Sequence, residues 1–86
     1  MTLNSDFLLH NSNGEYFLVP TGSASFSGIV RGNATLGVIL SLLKDDTTEE
    51  AIVSAVKARF DAPEGAVERD VKNVLSKLRE IGALDE

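Results

Sequence analysis

Apolar and polar positions divide the chain into a leading stretch of short β-prone runs and a longer stretch with helical period. In "DFLLHNSNGEYFLVP", Phe7–His10 and Tyr16–Val19 flank Asn13–Gly14. Asn-Gly is a strong hairpin signal, because both turn positions accept a positive φ. Pro20 stops the second run, since it has no N–H to offer a ladder. The adjacent apolar pairs Leu8–Leu9 and Leu18–Val19 break strict alternation, so the pattern does not assign faces. "TGSAS" reads as a flexible connection. Phe26–Arg31 reads as a third strand with Gly28 inside it, a residue that marks close approach of another backbone.

From Asn33 the period changes. Asn33 is the N-cap expected for a helix over Ala34–Lys44, with Leu36, Ile39, Leu40 and Leu43 on one stripe. Gly37 within that helix costs ~1 kcal/mol against alanine, which points to a close contact there. Thr47 and Glu50 have capping-box spacing, and Ile52, Val56 and Phe60 give a second amphipathic helix. Pro63 suits the first position of a third helix, with Glu64 near its positive end. Val67, Val71, Val74, Leu78 and Ile81 form its apolar stripe, and Gly82 ends it. The expected fold is α+β: a winged-helix-like βββααα domain spanning 1–86. Its small three-stranded antiparallel sheet (about 7–31) packs beside a three-helix bundle (about 34–82).

Composition narrows the function. The 86 residues suffice for one modest core. No cysteine is present, which removes disulfide and thiol chemistry and fits a cytoplasmic protein. No apolar run is long enough to span a membrane, and "MTLNSDF" lacks the pattern of a signal peptide. The net charge of −5 argues against nucleic acid. On the third helix, Arg69, Lys72, Lys77 and Arg79 alternate with Glu64, Glu68, Asp70 and Glu80, the pattern of a solvated face. That disfavours a winged-helix DNA-binding regulator, the main alternative; a small structural or assembly subunit is another.

Catalytic groupings are thin. His10 is the single histidine and has no partners for a metal site or a nucleophilic pair. Asp45–Asp46 and Glu49–Glu50 fall where a helix start favours negative charge. "GSASFSG" lacks the lysine and spacing of a phosphate loop, and Ser23 and Ser25 lie in no nucleophile elbow. The sequence therefore gives no catalytic, metal or cofactor site.

Taken in order, "GEYFLVPTG", "GIVRGNATLGVILSLL", "TTEEAIVSAVKARFD" and "DVKNVLSKLREIGAL" resemble the PqqD-like family, the recognition element for precursors of ribosomally made, modified peptides (RiPPs). The resemblance runs from Phe7 to Leu84, and its specificity lies in order and spacing rather than in any one piece. The chain departs from the family's pattern at Ile39, where a bulky aromatic is frequent, and at Val74, where phenylalanine is favoured. It departs again at "RGN", which replaces a leucine-asparagine. These positions bear on the shape of the peptide pocket.

The resemblance implies a standalone, non-catalytic adaptor without cofactor, as in PQQ and lasso-peptide biosynthesis. Its ligand is the leader segment of a precursor peptide. The adaptor presents this segment to a radical S-adenosylmethionine (SAM) enzyme, a cyclase such as a cyclodehydratase, or a leader peptidase. The leader adds as a strand beside the third strand and lies against the third helix. Mapped here, the edge is Ser27, Gly28, Ile29, Val30 and Arg31, and the wall is Val67, Asp70, Val71, Val74 and Leu78. The four apolar wall residues suit the core as well. The expected state is a monomer with weak edge-to-edge pairing at high concentration, because the edge carries little protection.

Overall fold

Asn13 and Gly14 both take positive φ, 51° and 80°, and turn the chain between strands β2 (Phe7–Ser12) and β3 (Glu15–Pro20). The ladder is complete from Phe7 opposite Pro20 to Ser12 opposite Glu15. The computed structural model describes residues 1–22 and 28–86. Within it, strand β4 covers Val30–Gly32 and pairs antiparallel with β3, Leu18 opposite Val30 and Tyr16 opposite Gly32. The strand expected from Phe26 is therefore shorter among the described residues: Gly28 and Ile29 precede it, and Phe26 and Ser27 lie outside them, as do Ser23–Ser25 of the connection. Continuing the register would set Gly28 opposite Pro20, which has no N–H to extend the ladder.

Helix α1 spans Ala34–Leu42, with the Asn33 side chain accepting from the Thr35 N–H at 3.1 Å as expected of its cap. Helix α2 spans Glu49–Arg59, and its cap is Thr48 rather than Thr47. The Thr47 backbone is held elsewhere, donating to the Met1 carbonyl and accepting from the Met1 ammonium. Thr48 accepts from the Ala51 N–H at 3.2 Å; the residue three positions on is then an alanine, so no capping box forms.

Helix α3 begins at Ala66, three residues after the expected Pro63. Pro63 instead opens a turn in which its carbonyl accepts from the Ala66 N–H, and Gly65 supplies the φ of 82° that the turn requires. Glu68, not Glu64, is the acid of the first turn. The helix closes as expected at Gly82 (φ 78°), where Gly82 N–H donates to Arg79 and Ala83 N–H to Leu78.

The ends add a two-stranded sheet that the pattern does not announce: β1 (Thr2–Leu3) pairs with β5 (Leu84–Asp85). The fold is thus α+β, a three-stranded antiparallel sheet in the order β2-β3-β4 with three helices. Leu18 of the sheet, Ile39, Leu40 and Leu43, Ile52, and Val71, Leu75 and Leu78 are fully buried together. No polar or charged residue is buried among the described ones.

Candidate peptide groove

β4 ends the sheet, and among the described residues no strand pairs with its second edge. An unpaired edge presents backbone N–H and C=O groups to whatever lies beside it. Beside this edge a groove of about 440 Å³ separates β4 and the start of α1 from α3. Val30, Leu36, Val74 and Leu78 form its apolar floor. Arg31, Asn33, Thr35, Asp70, Asn73 and Lys77 form a polar rim, and Gly32 completes the strand wall. A hollow of about 490 Å³ near Met1 and Glu49 is somewhat larger, but polar and charged residues make up all of its lining except Met1, the Arg79–Glu86 ion pair among them. The groove combines apolar floor and free backbone edge; the hollow does not.

Local geometry explains who reaches the groove. Val30 lies opposite the buried Leu18 and so faces inward, whereas Arg31 lies opposite Phe17 on the other face. The Arg31 guanidinium is held at 3.5 Å from Glu15, an exposed pair worth little in stability. On α3, Asp70, Asn73, Val74, Lys77 and Leu78 follow the three- and four-residue steps that keep side chains on one helix face.

Of the residues read from the sequence, Val30, Arg31, Asp70, Val74 and Leu78 line this groove. Val67 and Val71 are buried in the core behind it, and Gly28 and Ile29 precede β4 without lining it. Ser27 lies outside the described residues. Gly32, Asn33, Thr35, Leu36, Asn73 and Lys77 line the groove without having been singled out for it. Counting three and seven positions on from Asp70 reaches Asn73 and Lys77, so helical spacing carried that signal. Asn33 was legible only as a cap. His10 is exposed on β2 with its ring 6.4 Å from that of Phe17, apart from the groove.

A family model described as coenzyme PQQ synthesis protein D (PqqD) matches residues 7–84, which include β2 through α3 and every lining residue. The chain belongs to the PqqD family. A similar solved structure is described as TbiB1 in complex with the TbiA(beta) leader peptide. It superposes with a TM-score of 0.74 at 25% identity, covering 99% of this chain and 100% of that one. No curated protein matches.

The electrostatics of this PqqD-family chain sort into paired and unpaired groups. Lys57 of α2 donates to Glu68 of α3, and that hydrogen bond holds the Glu68 carboxyl below its ordinary range. Asp46 is lowered likewise by the hydrogen bond from the N-terminal ammonium, 2.8 Å away. Both pairs lie outside the groove lining. No group of His, Cys, Asp and Glu suited to a metal ion occurs among the described residues, and none of their helices is long and apolar enough to cross a membrane.

Proposed function

We propose that this chain binds the leader segment of a ribosomally made precursor peptide in the groove between β4 and α3, and presents it to a modifying enzyme or leader peptidase. The observation that carries this reading is an apolar groove walled on one side by a strand edge that no described strand pairs and on the other by a helix. That is the arrangement strand addition uses: backbone hydrogen bonds set the register, and side-chain pockets select the sequence. The PqqD family match and the likeness to a protein solved with its leader peptide support the same reading.

In this mechanism the backbone of Val30–Gly32, with Gly28 and Ile29 leading into it, offers the ladder. The half-buried Val74 and Val30, backed by the buried Leu36 and Leu78, take an apolar side chain of the leader. Val67 and Val71 hold α3 in place from the core side. Presentation leaves the residues beyond the leader outside the groove, free for the modifying enzyme.

The test is isothermal titration of the full chain with synthetic leader peptides taken from short precursor-like reading frames sought beside its gene. Val74→Asp places a carboxylate in the apolar floor, where desolvating it on peptide binding costs several kcal/mol. The expected result is binding by the wild type and at least about tenfold weaker binding by the variant, which a thermal melt shows to be folded though somewhat less stable. Equal affinity in a folded variant would remove the groove as the site.

A further inference from the structure

Two groove charges form no ion pair among the described residues. They are Asp70 and Lys77, which lie on the same wall. Asp70 sits in the second turn of α3, past the first turn where a carboxylate gains from the helix dipole. Its helix neighbours at three and four positions, Ala66, Val67, Asn73 and Val74, are all uncharged, so nothing on its own helix neutralises it. Lys77 has one acidic neighbour at that spacing, Glu80, and forms no ion pair with it. Arg31 lines the groove from β4, but its side chain stands on the sheet face opposite Val30, 3.5 Å from Glu15.

Seven helical steps lead from Asp70 to Lys77. The two therefore share one face about 10.5 Å apart along the axis, with Val74 between them. An extended peptide rises about 3.3 Å per residue, so about three residues span that distance. Resting on the peptide-binding reading above, we infer that the ligand class is an amphipathic strand with a fixed charge order. A basic side chain lies at the Asp70 end, an apolar side chain enters over Val74, and an acidic side chain lies at the Lys77 end. The two charges stand two to four positions apart. Opposite placement sets like charges against each other at both ends, which selects against reversed or shifted binding.

The test uses random twelve-residue peptides displayed on phage and selected against the immobilised full chain. Two composition-matched peptides are then made from an enriched sequence, one as selected and one with its basic and acidic residues exchanged. The expected result is enrichment of that charge order, with the exchanged peptide binding at least about fivefold more weakly. In the doubly exchanged variant Asp70→Lys/Lys77→Asp the preference inverts, so the exchanged peptide becomes the better ligand. Both positions are exposed, and a thermal melt verifies that the variant is folded. Enriched peptides without a charge order, or a preference that the variant leaves unchanged, would overturn this inference while leaving peptide binding intact. Failure to enrich any peptide would overturn both.

Discussion

A Cβ added at Gly37 would lie 2.5 Å from Cδ1 of Tyr16, so α1 and β3 approach as closely as a glycine permits. This contact seats α1 on the sheet directly after β4, and thereby fixes the strand wall of the groove. Gly37→Ala should gain ~1 kcal/mol of helix propensity and lose ~1–3 kcal/mol to overpacking against the ring. The expected outcome is a net loss of stability, seen as a melting temperature lower by several degrees. An alanine variant more stable than wild type would mean that the Tyr16 ring moves aside freely.

Leu75 and Val74 are neighbours with opposite duties. Leu75 is fully buried, whereas Val74 is half-buried and lines the groove. Leu75→Ala should cost about 2–5 kcal/mol, and Val74→Ala clearly less, because only the former leaves a closed cavity. Urea denaturation of both variants measures the difference directly. Similar losses would place Val74 in the core and weaken the case for the groove.

How much of this was legible follows from the range of the signals. The hairpin was legible because Asn13–Gly14 encodes its own turn, and the end of α3 because Gly82 supplies its own positive φ. The start of α3 was not. Pro63 satisfies the rule for a first helical position, but a glycine two residues later can take the φ of 82° that makes Pro63 part of a turn. The stripe on α3 counted Val74 and passed over Leu75, since both lie within the arc that a three- or four-step pattern allows. The pairing of β1 with β5 joins two-residue strands from opposite ends of the chain and leaves no periodicity to read. For the groove, it was the family resemblance that pointed to Val30 and Arg31 of the strand edge and to Asp70, Val74 and Leu78 of the helix. Lys77 was read as part of a solvated face, because its role depends on where β4 runs.

The Lys57–Glu68 pair gives a pH dependence with a definite sign. Glu68 is lowered in the folded chain from an ordinary value of 4.5, with the Lys57 hydrogen bond as the largest cause. A lowered folded value means stabilisation that is complete above the unfolded pKa and lost as pH falls through the folded one. Lys57→Met should therefore be less stable than wild type at neutral pH, and the gap should close as pH drops below 4.5. Since the pair is exposed the gap is small, and salt shrinks it. A gap that persists in acid, by denaturant titration at several pH values, would assign the effect to the lysine's aliphatic contacts instead.

The central claim, that an extended peptide becomes the next strand beside β4, is tested most directly by amide NMR of the labelled full chain with the synthetic leader peptide. Strand addition should slow hydrogen exchange of outward amides within Val30–Gly32, while the largest shift changes cluster there and over Asn73–Lys77. Unchanged exchange at β4, with shift changes confined to α2 or to β2 around Leu8 and His10, would contradict it.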